Sequence, residues 1–276
     1  MKTPIIDVHL HCSELEDDAL LSYARLNGLD YKLSELLRLM VENGVERGLL
    51  LSPPLKNKRP APNDLIIELC EESEDKLFPV LTVEPERDLV RAAIDLASRY
   101  VGYVKAFKIR LGYVKIFAED PVFDPLYDYA QDQKLPVLFH TGDTATSDGS
   151  LVHSHPLTLD ALANRRQDLT IVICHFGNPW ILDVGELIYK HTNVYTDLSG
   201  LIAGEGSVYA EKYSDALAAK ISEAIYFAGG AEKIFFGTDY PVETFSSGLG
   251  LAKKLAIEEE DLQNILWKNA DRVFFP

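Results

Sequence analysis

The sequence predicts an α/β protein, a single-domain (β/α)8 or TIM barrel over residues 1–276. Three observations predict it. Short apolar segments alternate eight times with segments of helical periodicity, and parallel strands need such crossover connections. Eight strand–helix units fill about 250 residues in a closed barrel, close to the 276 present. An open doubly wound sheet, the competing arrangement, usually carries a glycine-rich phosphate loop after its first strand. Here that place holds HLHCSELEDD.

The elements follow in order. Ile5 to Leu10 reads as the first strand, and Lys32 to Asn43 as a helix stopped by Gly44. Val45 to Leu51 is the second strand, and Asn63 to Asp75 is helical with Asn63 as its expected cap. Leu77 to Val83, a helix from Asp88 to Arg99, and Gly102 to Arg110 come next. Asp124 to Lys134 is helical and Leu135 to Gly142 (LPVLFHTG) is the fifth strand. Thr158 to Gln167, Leu169 to Gly177 (LTIVICHFG), Trp180 to His191 and Asn193 to Ser199 continue the alternation. A long helix from about Val208 to Ala228 leads to Lys233 to Pro241 (KIFFGTDYP). The chain closes with an amphipathic helix from Glu258 to Phe274, acidic at its start as the helix dipole favours.

Composition narrows the function. A net charge of −16 and a pI near 4.8 argue against nucleic acid and anionic membranes as partners. No apolar run approaches the ~18 residues of a membrane span. Cys12, Cys70 and Cys174 are odd in number and far apart, which suits a reducing compartment. With MKTP leading straight into a strand, a cytoplasmic protein is expected.

The chemistry collects at strand ends. In a barrel, sites lie at the C-terminal ends of the strands. There the first strand places His9 and His11, the fifth His140, the sixth His175 and the eighth Asp239. Singly, each residue has a structural explanation, such as a hydrogen-bonded strand edge or a turn before Pro241. Together they must coincide at one end of four strands, and a metal centre explains that better. Imidazoles with one carboxylate suit a divalent transition metal, Zn2+ being the expected ion. Such an ion makes hydroxide from its bound water near neutral pH. Asp239 can ligate and take a proton, while His175 can polarise substrate or act as acid or base. On strict alternation Asp7, His9 and His11 share one face, and Asp7 is expected to hold a ligand histidine's second nitrogen. Cys174, alternating with His175, is expected to face the helices. The loop SPPLKNKRPAPND, with Lys56, Lys58 and Arg59, and also Arg110, could meet an anionic substrate; a solvated loop is the plainer reading.

The chain resembles the amidohydrolase superfamily, in particular its amidohydrolase-related (amidohydrolase-2) branch. The resemblance rests on DVHLH, LPVLFHTG, SHP (Ser154 to Pro156), ICHFG, GTDYP and the ending NILWKNADRVF, in order along nearly the whole chain. It implies metal ligands at His9, His11, His140 and Asp239 and a catalytic His175. It also implies that His155 starts a helix near the pocket. In dinuclear relatives His175 would hold a second metal beside a carboxylated lysine, and Lys108 occupies about that position; one metal is expected here. A homodimer is a common assembly in the family. The expected activity is hydrolysis of an amide, ester or lactone of a small, carboxylate-bearing substrate by metal-bound hydroxide. The alternative is non-oxidative decarboxylation of an aromatic or unsaturated acid on the same site. A barrel with purely structural zinc is disfavoured, because such sites are usually closed and cysteine-rich.

Overall fold

The computed structural model describes residues 4–204 and 208–276. Among these, eight strands form one parallel sheet in chain order: β1 (Ile5–Leu10), β2 (Val45–Leu51), β3 (Leu77–Thr82), β4 (Ala106–Ile109), β5 (Val137–Phe139), β6 (Ile171–Ile173), β7 (Val194–Asp197) and β8 (Ile234–Phe235). The sheet curls until β8 and the residues after it meet β1. Val8 donates to Phe236 O at 3.0 Å, His11 to Tyr240 O at 2.9 Å, and Asp239 to His9 O at 2.8 Å. This is the (β/α)8 barrel that the alternation predicts.

Two apolar layers hold it. Ile6, Val8, Leu49, Leu51, Val80, Ala106, Leu138, Val172 and Phe235 fill the barrel interior, and Phe274 of the closing helix plugs the bottom. The other face of each strand packs against the helices through a larger cluster that includes Leu10, Leu50, Phe107 and Phe139. Every strand is therefore buried on both sides, which is why the sequence shows apolar runs rather than alternation.

β1 breaks the strict alternation. From Asp7 to Leu10 it advances three residues while β2 advances two, from Gly48 to Leu50. The extra residue is a bulge, which resets the side-chain direction. Val8 faces the interior with Ile6, and His9 follows it inward, while Leu10 packs outside. Asp7 lies opposite Gly48, on the outer face with Leu10. A one-residue shift thus separates Asp7 from the histidines.

The strands at the site end earlier than predicted. β5 stops at Phe139, β6 at Ile173 and β8 at Phe235. His175, Phe176 and Asp239 have φ of +61°, +46° and +56°, a left-handed conformation that no ladder accommodates. His175 and Asp239 therefore sit on turns just beyond their strands, where their side chains can bend toward the axis.

Among the described residues three α-helices lie outside the predicted segments, one of them the single turn Leu151–Ser154. Leu21–Leu26 is under two turns long and has no side-chain cap. Phe245–Lys254 starts at Thr244, whose hydroxyl accepts from Ser247 N–H, but its two glycines weaken the helical signal. Gly248 has a packing reason: a Cβ there would lie 3.1 Å from Thr238 Cγ2. Gly44 ends its helix at φ 75°, as expected. Asn63 is no cap. It accepts from Thr82 N–H and donates to Thr82 O, both at 2.9 Å, and meets Ser52 Oγ at 3.1 Å, so it ties the end of β2 to β3.

The closing helix is tied to β8 by Asn269, fully buried, which donates to Ala231 O at 2.7 Å and Ile234 O at 2.8 Å. Asn269→Ala strands both carbonyls. The expected loss is about 2–3 kcal/mol of unfolding free energy, read from urea denaturation with the m-value unchanged. A loss below about 0.5 kcal/mol would contradict this role for the side chain.

Candidate metal centre and catalytic cavity

A cavity of about 530 Å³ opens at the C-terminal ends of the strands, and His9, His11, Lys108, His140, His175 and Asp239 line it. Room for His9 comes from β8: Gly237 points inward, and a Cβ there would lie 3.2 Å from that of His9. Gly200, at φ +62°, leaves similar space, since its Cβ would stand 2.8 Å from Asp239 Oδ2.

The tightest group is His9, His11 and Asp239, one donor atom from each lying within 4.8 Å of the others. Asp239 Oδ1 is 3.4 Å from His9 Nε2 and 3.0 Å from His11 Nε2. The far side of each ring fixes its tautomer. His11 Nδ1 lies 2.9 Å from Leu51 O, a carbonyl that can only accept, so Nδ1 carries the hydrogen. His9 Nδ1 faces Asp197 Oδ2 at 3.2 Å and carries its hydrogen for the same reason. Both Nε2 atoms therefore turn lone pairs toward a carboxylate. A proton or a metal ion between them would satisfy this arrangement. Ligand bonds of about 2.0–2.2 Å in a tetrahedral shell put donors about 3.3–3.6 Å apart; the His9 spacing falls within that range and the His11 spacing is somewhat shorter.

A second pair repeats the pattern. His175 Nδ1 donates to Ser199 O at 3.0 Å, and His140 Nε2 donates to Asp143 O at 2.9 Å. Their remaining nitrogens, His175 Nε2 and His140 Nδ1, face each other at 3.0 Å with lone pairs on both. His140 thus joins the cluster through His175 and lies outside the tight group of three. The ring of His175 in turn packs against that of His9 at a tilt of 37°, with centroids 4.9 Å apart.

Burial governs the electrostatics. It lowers His9 to about 4, helped by the charge of Lys108, and it lowers His175 and, beside His175, His140. Burial alone would raise Asp239 and Asp197, but the facing imidazoles hold both well below the carboxylate range. At neutral pH these are neutral rings around ionised acids. Burial raises two other carboxyls to about 8: Asp7, and Glu243, which accepts from Leu201 N–H at 3.1 Å and Ser247 Oγ at 3.0 Å.

The remaining predicted residues fall out as follows. Both Asp7 oxygens are engaged by Thr238 and the His9 N–H, so Asp7 holds the bulge, and no imidazole nitrogen reaches it. The partner of His9 Nδ1 is Asp197, which sequence reasoning missed. Asp197 also accepts from His175 N–H at 2.8 Å and from the Ser199 hydroxyl. Its signal was an acid at the end of the seventh strand, in the same place as the other site residues. Cys174 faces the interior, against expectation, because β6 alternates Val172 and Cys174 inward; Lys108 Nζ donates to its Sγ at 2.8 Å. His155 caps the turn Pro156–Leu159 and packs on Trp180, off the cavity wall. In the basic loop, Lys58 pairs with Asp148 and Arg59 with Glu86 at 2.9 Å; Lys56 and Lys58 border the cavity.

A family model described as amidohydrolase matches residues 6–275. No curated protein sequence matches the chain. Among solved structures, the fold is similar to an uncharacterized TIM-barrel protein from Bordetella bronchiseptica (19% identity, 98% of each chain covered, TM-score 0.75). It is similar to a probable 2-pyrone-4,6-dicarboxylic acid hydrolase from Acinetobacter baumannii with citric acid bound (15% identity, 99% of each chain, TM-score 0.70). It is also similar to a dihydroxybenzoic acid decarboxylase from Polaromonas sp. JS666 with bound manganese and 2-nitroresorcinol (16% identity, 99% of this chain and 97% of that one, TM-score 0.69). Among the described residues no helix is long and apolar enough to cross a membrane.

Glu243 generates a pH prediction. Folded, it keeps its proton up to about pH 8, whereas the unfolded chain releases it in the ordinary carboxyl range. Its contribution is thus complete at low pH and is lost as pH rises through 8. Glu243→Gln keeps an acceptor for Leu201 and cannot ionise. Between pH 6 and 9 the wild type should lose about 2.7 kcal/mol more than this variant in urea unfolding; parallel curves would contradict the assignment.

Proposed function

The chain belongs to the amidohydrolase family, and from that premise we propose that it is a metal-dependent hydrolase of an amide, ester or lactone bond in a small carboxylate-bearing substrate. The observation that carries the reading is the set of lone pairs turned inward by fixed tautomers. His9, His11 and Asp239, with His140 as the fourth ligand, would hold one divalent ion. Zn2+ is the proposed ion, since three imidazoles and one carboxylate suit it; the Polaromonas relative holds manganese instead. When bound, the ion supplies Lewis acidity that polarises a carbonyl and lowers the pKa of water.

The chain's own groups do the rest. His175 enters neutral, with Nδ1–H held by Ser199 O and Nε2 bare, so it is built to accept a proton from attacking water. It then returns that proton to the leaving oxygen or nitrogen. Ser199 and Asp197 keep His175 and His9 in place: the Ser199 hydroxyl lies 3.0 Å from both Nδ1 atoms. Lys108 Nζ is hydrogen-bonded to Cys174 Sγ, and no second metal is proposed. Non-oxidative decarboxylation, in which a protonated His175 would deliver its proton to carbon as CO2 leaves, uses the same residues. The three buried, unpaired cysteines support a reducing compartment, the cytoplasm.

Elemental analysis of the purified protein should give about one equivalent of transition metal per chain, and His11→Ala should lose it. His175→Gln should keep the metal and lose about 10²–10⁴-fold in turnover. Substrates come from a screen of lactones, esters and amides beside carboxylated aromatics assayed for CO2. Full activity in His175→Gln would overturn its role, and CO2 release alone would replace hydrolysis with decarboxylation.

A further inference from the structure

We propose that β4 carries an anion subsite, in which Lys108 and Arg110 seat a carboxylate of the substrate other than the group that reacts. The word substrate rests on the hydrolase reading; the subsite itself belongs to the chain and is testable without turnover.

Alternation on β4 sends Ala106 into the barrel, and Lys108 and Arg110 follow on the same face as lining of the cavity. β4 is four strands from β8 around the cylinder, so this basic wall stands across the axis from Asp239. Lys108 is 4% exposed. Its only hydrogen bond among the described residues goes to Cys174 Sγ, and burial raises that thiol well above its ordinary range, so the sulfur is uncharged. No carboxylate among the described residues lies within ion-pair distance of Lys108, and the ionised acids nearby are engaged elsewhere. Asp239 is taken by His9 and His11, and Asp197 by His9, the His175 N–H and Ser199. A buried cation with two donors left over and no counter-ion is costly unless an anion joins it.

Arg110 adds a second donor to the same wall. One nitrogen, Nη2, makes both of its contacts, to Glu84 Oε1 and Lys58 O at 2.9 Å each, while its buried Nε has no acceptor. Glu84 is itself shared with Arg59 at 3.3 Å, so one acid serves two guanidinium groups. An ammonium beside a partly free guanidinium edge suits a planar carboxylate, and a cavity of about 530 Å³ has room for a ring-sized acid spanning from β4 to the histidines.

The test uses chelator-treated, metal-free protein, so that no ion attracts the probe, and isothermal titration with benzoate and its neutral isostere benzamide. Wild type should bind benzoate at least tenfold more tightly than benzamide. Lys108→Met should bring the two within twofold, Lys108→Arg should keep most of the preference, and Arg110→Gln should reduce it severalfold, circular dichroism showing an intact barrel in each. If Lys108→Met does not fold, Arg110→Gln and Lys108→Arg carry the comparison. An undiminished preference in folded Lys108→Met, no preference in wild type, or tighter binding of inorganic phosphate than of benzoate would each overturn the proposal. Absence of turnover in every screen would instead count against the hydrolase reading and leave this result standing.

Discussion

The site depends on one electrostatic constraint: the outer hydrogen bond of each imidazole decides which nitrogen faces the centre. Leu51 O and Asp197 take the Nδ1 hydrogens of His11 and His9, Ser199 O takes that of His175, and Asp143 O takes the Nε2 hydrogen of His140. Three of these acceptors are backbone carbonyls, which cannot donate, so the choice is made by the fold. Four bare nitrogens and the Asp239 carboxylate are left converging on one cavity. Burial lowers His9, His140 and His175, which disfavours relief by protonating those three rings. A cation relieves it.

The barrel makes this convergence possible through small departures from regularity. A bulge in β1 turns His9 inward directly after Val8, and His11 follows at the mouth. Left-handed turns at His175 and Asp239, beyond the ends of β6 and β8, swing both side chains over the opening. Gly200 and Gly237 leave the volume that these rings and the carboxylate occupy. Each departure interrupts a regular ladder or removes a side chain from it, and the two apolar layers on either side of the sheet hold the result in place. Asp7 belongs to this machinery: it grips Thr238 and the His9 N–H across the β1–β8 seam.

Much of this was legible in the sequence. Apolar runs and helical periodicity marked eight strands, because a sheet buried on both faces needs continuous Val, Ile, Leu and Phe. His9, His11, His140, His175 and Asp239 could be picked out because each is a polar residue ending such a run, and all five line the cavity. What was not legible depends on register and φ. The bulge at Val8 and His9 has no glycine to announce it, so Asp7 was placed with the histidines. Asp197 ends β7 in the same way as the others, yet an aspartate before LSG also reads as a turn. Strict alternation counted back from His175 puts Cys174 among the helices, whereas the left-handed φ of His175 lets both residues face inward. The helix Phe245–Lys254 was hidden by Gly248, a residue required by its contact with Thr238.

The most direct measurement is nitrogen-15 NMR of the histidine rings in metal-free protein at pH 7. The expected pattern is hydrogen on Nδ1 of His9, His11 and His175 and on Nε2 of His140, with shifts of their other nitrogens on adding zinc. Hydrogen on Nε2 of His9 or His11, or charged rings throughout, would contradict it.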